Sequence, residues 1–131
     1  MKGWLRKILG NRGERVAARH LRKAGFRILA RQYANRFGEI DLIALDGDCV
    51  VFAEVKTRRT DSAGTPLEAV TYEKQKKLTR TALAWLKRHG LLEQAARFDV
   101  VSIVWPADSN RPQIQHIRNA FEPVGFGQMY S

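Results

Sequence analysis

Residues 38–56 read GEIDLIALDGDCVVFAEVK, and this stretch decides the fold. It predicts two strands joined by a tight turn, because two apolar runs flank the turn-forming sequence Asp-Gly-Asp at 46–48. Both runs are apolar on both faces, which is typical of strands in the middle of a sheet. Acidic side chains nevertheless stand at one end of each run, Glu39 and Asp41 on the first and Glu54 on the second. Buried carboxylates are costly unless they are paired, hydrogen-bonded or bound to a metal ion, so these acids indicate a functional site.

The turn admits two registers for this hairpin. Side chains two residues apart share a face of a strand, so Glu39 lies on the face of Asp41, and Glu54 on the face of Lys56. A two-residue loop that begins at the glycine sets Asp41 opposite Glu54. A loop that ends at the glycine sets Glu39 opposite Glu54 instead. Either register keeps all of these polar groups on one face.

Two opposed carboxylates favour a bound cation. Side chains directly opposite each other have Cβ atoms roughly 5 Å apart. Two carboxylates that close repel, unless one holds a proton or a cation lies between them. Oxygen ligands suit Mg²⁺ or Mn²⁺, so we expect Asp41 and Glu54 to bind one of these ions, with Lys56 reaching the same point. The alternative is a hairpin that ends in a surface ion pair.

The positive charge of the chain is concentrated at its amino-terminal end. The 131 residues carry 23 Lys and Arg against 13 Asp and Glu, a formal net charge of +10. Residues 1–37 hold eleven of the basic residues and one acid, Glu14, so they account for the whole excess. Such a concentration indicates a polyanionic partner, either nucleic acid or an anionic membrane surface. A merely solvated basic helix is the alternative.

Composition disfavours several other classes of protein. Cys49 is the single cysteine, which rules out an intramolecular disulfide. The three histidines have no zinc-site spacing, and no phosphate-cradling glycine motif is present. The sequence lacks the apolar run of a signal peptide or of a membrane-spanning helix. We expect one cytoplasmic domain over residues 1–131, with a core at about 10–118 and a tail over 119–131.

A basic helix and a strand precede the hairpin. Residues 11–24 predict the helix, with Asn11 as its cap and Gly25 just beyond its end. Glu14 lies on or beside the buried face of this helix. One explanation for a glutamate in the first turn is its favourable interaction with the helix dipole. A strand is predicted over Phe26–Tyr33. The arginines of this helix that we expect to contact nucleic acid are Arg12, Arg15, Arg19 and Arg22.

A polar loop and a second helix follow the hairpin. The loop at 57–64 contains Arg58 and Arg59, which suit phosphate contact. Residues 65–68 read Thr-Pro-Leu-Glu, a capping box that predicts a helix start, with a bend or restart near Thr71 and an end at His89. Lys74, Lys76, Lys77 and Arg80 form a cationic face of this helix, and we assign nucleic-acid contact to Lys74 and Lys77.

Two further strands complete the pattern. Phe98–Trp105 is apolar except for Asp99 and Ser102, and Asp99 is expected to have a structural partner such as an arginine. A last strand is predicted over Gln113–Ile117.

The second helix also contains a candidate site residue. Gln75 is in phase with the apolar stripe of that helix and is able to point toward the acidic site.

The acidic constellation resembles a known nuclease signature. Asp41 followed by Glu54-Val55-Lys56 is similar to the PD-(D/E)XK signature of restriction-endonuclease-like nucleases, although Ile40 stands where the signature has proline. Residues 38–44 and 54–58 resemble the bacterial YraN family, which is related to archaeal Holliday-junction resolvases. Matching pairs at Gly13-Glu14, Ala69-Val70 and Lys74-Gln75 extend this resemblance over roughly residues 10–105.

This resemblance implies a fold and an activity. The implied fold is an α/β restriction-endonuclease-like core, a mixed central β-sheet flanked by helices in the order αβββαβ, with a possible extra C-terminal strand. The pattern of predicted elements agrees with it. The implied activity is magnesium-dependent hydrolysis of phosphodiester bonds in DNA, with branched, recombination and repair DNA among the expected substrates.

The resemblance also implies roles for individual residues. Glu14 joins Asp41 and Glu54 as a metal ligand. Lys56 orients the attacking water or stabilises the developing negative charge, Gln75 positions water or the nucleic-acid backbone, and Glu39 is a base or second-metal ligand.

Two other functions and two oligomeric states stay open at this point. The protein is either a nucleic-acid-binding protein that retains the nuclease fold without catalysis, or a docking module that uses the basic helix on a membrane or protein. The resolvases that the chain resembles are dimers, but a homodimer and a monomer are both compatible with the sequence. The apolar residues expected at a dimer contact are Trp4, Leu5, Ile8, Leu9, Phe121, Val124 and Phe126.

Overall fold

The computed structural model describes residues 3–59 and 66–124, with side chains described from residue 11 onwards. The elements of these two ranges, in chain order, are α1 (Gly3–Lys23), β1 (Arg27–Asn35), β2 (Gly38–Asp46), β3 (Cys49–Arg59), a short 3₁₀ helix (Leu67–Ala69), α2 (Tyr72–Arg88), β4 (Ala96–Trp105) and β5 (Gln113–Phe121).

The strands form one mixed sheet in the order β1-β2-β3-β4-β5. Strands β3 and β4 are parallel and joined through α2, whereas every other neighbouring pair is antiparallel. Helix α1 packs on one face of the sheet and α2 on the other. This arrangement confirms the α/β class and the expected restriction-endonuclease-like order.

The core has two layers because the central strands are apolar on both faces. Leu42 and Val51 face α1, where they pack with Leu21 of that helix. Their chain neighbours Ile43 and Phe52 face α2 and its core residues, which include Leu78, Ala82, Trp85 and Leu86. Each large apolar side chain that is fully buried in this way contributes about 1.5–3 kcal/mol to folding.

The turn between β2 and β3 selects one of the two registers. Asp46 pairs with Cys49, so the loop consists of Gly47 and Asp48. Gly47 has a φ of +59°, whereas Asp48 is not among the residues with positive φ. Positive φ at the first loop position alone is the property of a type II′ turn. The register that sets Asp41 opposite Glu54 is therefore the one that forms.

Helix α1 begins earlier than predicted. It runs from Gly3, so Asn11 lies inside the helix and does not cap it. The side chain of Asn11 instead accepts a hydrogen bond from the side-chain amide of Gln32 in β1. The predicted helix start at Asn11 is wrong because the capping preference of a single residue is a local signal, and the residues before Asn11 also form helix. Gly25, with a φ of +96°, follows the helix end as expected.

Helix α2 starts at the predicted restart. Thr71 caps it by accepting a hydrogen bond from the backbone N–H of Lys74 at 3.3 Å. The predicted capping box is not the helix start, since Glu68 belongs to the separate 3₁₀ helix and Thr65 lies outside the described residues. The helix ends at Arg88, one residue before the predicted end at His89.

Two strands are longer than predicted. Strand β3 continues through Arg58 and Arg59, which pair with Val104 and Trp105 of β4, so these arginines are not in a loop. Strand β5 continues to Phe121, past the expected core boundary at 118. Phe121 stacks on Phe98 with ring centroids 4.8 Å apart, so this half-buried residue packs against the core of its own chain. The expected dimer contact stays a prediction. Among the other residues expected at a dimer contact, the side chains of Trp4, Leu5, Ile8 and Leu9, and the whole of Phe126, lie outside the described part of the chain.

Both edge strands are irregular. The pairing of β1 with β2 shifts register between Ile28 and Ala30. The pairing of β4 with β5 shifts between Phe98 and Val100. Each edge strand also contains one non-glycine residue with a φ of +50°, Gln32 in β1 and Asn119 in β5.

Candidate active site

The site is built where β2 and β3 separate. These strands pair from Asp46 and Cys49 as far as Leu42 and Ala53. Beyond that point, residues 38–40 of β2 remain paired with β1, and residues 54–59 of β3 remain paired with β4. The gap between these two separated ends is called the fork below. It places the acidic ends of both strands at the same opening in the sheet.

Asp41 stands at the point of separation. The pairing register, extended by one residue from Leu42, brings it opposite Glu54. Its Oδ2 accepts a hydrogen bond from the backbone N–H of Val55 at 2.7 Å. A buried backbone donor requires a partner, and here the carboxylate supplies it where the ladder has ended. This bond fixes Asp41 at the entrance of the fork.

Glu54 and Asp41 form a carboxylate pair. Burial of Glu54, together with a hydrogen bond to Asp41 and the negative charge of Asp41, raises the pKa of Glu54 to about 9, although Lys56 and Lys74 oppose the shift. Glu54 therefore holds a proton at neutral pH and shares it with Asp41. A divalent cation is the other means by which two such close carboxylates are neutralised, so this pair fits Mg²⁺ or Mn²⁺.

Two lysines adjoin the pair. Burial lowers the pKa of Lys56, and its contact with Lys74 lowers it further, while the charges of Glu54 and Asp41 act in the opposite direction. The sequence had indicated Lys74 as a phosphate contact, but its proximity to Lys56 follows only from the packing of α2 on the sheet. A lysine with a lowered pKa is suited to hydrogen bonding and proton transfer near a reacting phosphate.

Helix α1 brings a third carboxylate to the site. Glu14 is buried, with an exposure of 6%. Its Oε1 accepts from Nε of Arg31 in β1 at 3.2 Å, a partner that the sequence did not reveal. A Cβ on Gly13 would lie only 2.2 Å from Oγ1 of Thr57 in β3. Glycine at this position therefore allows the helix to approach β3 closely and places Glu14 in the lining of the groove.

A groove of about 950 Å³ runs from the fork to the carboxyl end of β4. Its residues at the fork include Glu14, Glu39, Asp41 and Lys56, and its far end includes Arg12, Trp105 and the segment 106–110. Glu39 is exposed at the rim. Trp105 was not among the functional residues predicted from the sequence, because the signal that marks it is its position beside α1 in the folded chain.

The structure does not bring every predicted site residue together. In the described ranges, no three Asp, Glu, His or Cys side chains are close enough to hold one metal ion. Asp41 and Glu54 are a pair, while Glu14 lines the same groove with its carboxylate on Arg31. The Gln75 side chain donates to the carbonyl of Val70 at 3.0 Å and does not line the groove. The role predicted for Gln75 stays a prediction.

The predicted nucleic-acid contacts fall into three groups. Arg12, Arg58 and Arg59 line the groove. Lys74 lies beside Glu54 and Lys56. The remaining four are exposed on the helices, outside the lining of the groove: Arg15, Arg19, Arg22 and Lys77.

A second buried acid, Asp99, has a structural environment, as the sequence indicated. Its carboxylate accepts from Nε of Arg97 at 2.9 Å and from the backbone N–H of Asn119 at 3.0 Å, and lies 2.7 Å from Nε2 of His116. Burial alone would raise the pKa of Asp99, but the bonds with His116 and Arg97 outweigh it and the pKa is lowered. This network ties β4 to β5 and belongs to the scaffold.

In the described ranges, no helix is both long enough and apolar enough to cross a membrane. Residues 13–103 match a protein-family model described as "Uncharacterised protein family UPF0102". That range includes all four acidic residues of the site: Glu14, Glu39, Asp41 and Glu54.

Individual proteins are similar over most of the chain. A UPF0102 protein of Geobacter sulfurreducens is 50% identical over 116 residues, which are 88% of this chain and 90% of that protein. A UPF0102 protein of Rhodococcus opacus is 48% identical over 113 residues, 86% of this chain and 95% of its own. One from Rhodopirellula baltica is 46% identical over 125 residues, 93% and 75% of the two chains.

Proposed function

We propose that this chain, which belongs to the UPF0102 (YraN) family, is a metal-dependent nuclease that hydrolyses phosphodiester bonds in DNA. The observation that carries the proposal is the fork. It holds a half-buried carboxylate pair, Asp41 and Glu54, beside Lys56. Asp41 and Lys56 line the groove together with three arginines, whereas Glu54 is not part of its lining. A purely structural pair of acids would not need a groove of about 950 Å³ lined by basic side chains beside it.

Each group at the fork has a role in this mechanism. Asp41 and Glu54 would hold Mg²⁺ or Mn²⁺. Glu14, the third ligand that the resemblance implies, lines the same groove as Asp41 but is paired with Arg31. Such an ion would supply Lewis-acid chemistry at this pair, polarising a phosphoryl oxygen and activating a water molecule. Lys56 donates a hydrogen bond to the scissile phosphate or to the attacking water. Glu39, exposed at the rim, would accept the proton that the attacking water loses, directly or through one water on the solvent side.

The arginines provide the second part of the mechanism. Arg12, Arg58 and Arg59 line the groove, where their guanidinium groups are suited to bind phosphates on either side of the scissile one. Phosphate contacts of this kind position a strand without reading its sequence. Phosphate binding by these arginines would fix the strand so that one phosphate lies against Asp41 and Lys56.

Cleavage of a substrate panel tests the proposal. Duplex, single-stranded, flapped and four-way DNA are incubated with Mg²⁺ or Mn²⁺, or with EDTA. We expect metal-dependent cleavage that Asp41→Asn, Glu54→Gln and Lys56→Ala each reduce at least about 100-fold, the usual effect of removing one group that stabilises transition-state charge. Asp48→Asn removes an acid from the exposed turn of the same hairpin, and this matched control should cleave normally. Equal cleavage by all four variants would refute the site.

A specific observation also supports the non-catalytic alternative. Glu14 is paired with Arg31, and Gln75 is bonded to the Val70 carbonyl, so two of the predicted catalytic groups have structural partners. Under this alternative, the protein binds every member of the panel with affinity independent of metal and cleaves none. The same panel therefore separates the two functions.

The oligomeric state is tested separately. Light scattering with and without a four-way junction shows whether the protein forms the possible homodimer.

A further inference from the structure

The far end of the groove carries an aromatic surface that the nuclease chemistry does not use. Trp105 is the last residue of β4, and it lines the groove together with Arg12 of α1. The guanidinium carbon of Arg12 lies 4.2 Å from the centroid of the Trp105 ring. The indole is half-buried against the α1-side core and Arg12 lies over its ring. The guanidinium, supported by the indole through a cation–π interaction, is therefore the flat, positively charged surface on which a ligand is expected to stack.

Trp105 lies at a defined distance from the fork. It pairs with Arg59 of β3, whereas Lys56 pairs with Ser102, so three residues separate the two positions along parallel strands. At roughly 3.3 Å per residue, this separation is about 10 Å. Because three is an odd number, the Lys56 and Trp105 side chains leave opposite faces of their strands, but both line the groove. A nucleic-acid strand that follows the groove from the fork would therefore bring a nearby nucleotide to Trp105.

The chemistry of this end matches a base better than a phosphate. Stacked aromatic and guanidinium groups bind the flat faces of bases. Ser109 and Asn110 line the same end, and their hydroxyl and amide groups are able to hydrogen-bond to a base edge. In an intact duplex, both faces of each base are stacked and its pairing edge is occupied. Only an unpaired base offers these groups a free face and a free edge.

We propose that Trp105 and Arg12 form a binding site for an unpaired nucleotide adjacent to the phosphate held at Asp41 and Lys56. The inference rests on the proposed function and specifies its substrate class: DNA in which unpaired nucleotides adjoin the cleavage position, as in flaps, bulges, single strands and open junctions. Fully paired duplex binds through its phosphates alone.

The test is a binding measurement without metal, so that no cleavage is needed. Fluorescence anisotropy in EDTA compares a labelled duplex with the same duplex containing one central unpaired nucleotide. The wild type should bind the second probe more tightly. Trp105→Leu removes the ring that supports Arg12. It should weaken binding of that probe by about 5- to 150-fold, the range for loss of one stacked base, and change duplex binding by less than about twofold. Trp105→Phe, which keeps an aromatic face, should retain most of the preference.

A pair of arginine variants gives a second measurement that does not alter the sheet. Arg12 and Arg19 are both exposed on α1, seven residues apart, and Arg19 does not line the groove. Arg12→Gln also removes a phosphate contact, so it should weaken both probes, but the unpaired probe more strongly, and thereby reduce the preference. Arg19→Gln should weaken both probes equally and leave the preference unchanged. Thermal unfolding of each variant shows whether the fold is retained.

The outcomes distinguish this site from the nuclease activity. If neither Trp105→Leu nor Arg12→Gln changes the ratio of the two affinities, the nucleotide site is refuted, even where cleavage at the fork is observed. If the ratio depends on Trp105 but no substrate is cleaved with metal, the nucleotide site stands and the proposed nuclease activity fails.

Discussion

Glu54 shows how one side chain links the stability of the fold to its chemistry. Its pKa is raised to about 9 by burial and by Asp41, so the metal-free site is neutralised with a proton. The sequence predicted this carboxylate pair, because the two strands and their turn are local features. The contacts of Arg31 with Glu14 and of Lys74 with Lys56 were not predictable, since they depend on how distant elements pack.

The raised pKa predicts how stability varies with pH. Between the ordinary value of 4.5 and the folded value of about 9, folded Glu54 holds a proton that the unfolded chain releases. The free energy of unfolding contributed by this group is therefore full below pH 4.5 and falls as pH rises toward 9. Urea unfolding in EDTA across this range should show the decline, and Glu54→Gln, which cannot ionise, should flatten it.

Added Mg²⁺ provides the matching control. A cation that replaces the shared proton should stabilise the wild type most at high pH, where the carboxyl group is ionised. Glu54→Gln should not show this response. A wild type whose pH dependence equals that of Glu54→Gln would contradict the assignment of the shared proton.

At the scale of elements, the contact of α1 with β3 determines whether Glu14 reaches the fork. The helix was predicted from its apolar spacing, but its early start and its close approach to the sheet were not. A glycine inside a helix normally weakens it. Here a Cβ at position 13 would collide with Thr57, so the close approach of the helix requires glycine. The loss of helix stability at Gly13 accompanies the approach that positions Glu14.

Gly13→Ala should therefore be destabilising, although alanine favours helix more than glycine does. The added Cβ would meet the Thr57 hydroxyl and lie 3.3 Å from Thr57 Cβ. Rotation of the exposed Thr57 side chain relieves only part of this crowding, so we expect a loss of about 1 kcal/mol, the low end of the cost of overpacking. Thr57→Ala removes the hydroxyl that collides. The double variant Gly13→Ala/Thr57→Ala should recover the stability of the wild type in thermal unfolding. A double variant no more stable than Gly13→Ala alone would show that the two residues do not collide.

At the scale of the whole molecule, charge is divided between the groove and the exposed face of α1. Composition alone predicted the concentration of positive charge in residues 1–37. It did not divide the arginines into those that line the groove and those that lie outside it. Arg15, Arg19 and Arg22 are exposed outside the groove lining, so their contribution to binding is expected to be general attraction to phosphates.

Replacing these three arginines together with glutamine should weaken DNA binding for every sequence and shape. The slope of log affinity against log salt should become shallower by about 0.9 for each phosphate that the variant no longer neutralises. Lys87 and Arg88 are exposed at the carboxyl end of α2, and their joint replacement by glutamine is the control. A triple variant with the wild-type slope would show that α1 is not a contact surface.

The irregular edges of the sheet bear on how copies of this protein can associate. A regular edge strand presents a row of unpaired N–H and C=O groups, which invites another chain to extend the sheet and so begins aggregation. Here the register shifts in β1 and β5, and the residues with positive φ, Gln32 and Asn119, interrupt that row on both sides. A bulged edge bends and twists away from a flat partner. The chain is thereby protected from edge-to-edge polymerisation, and any dimer that forms is expected to join through side chains rather than through a continuous sheet.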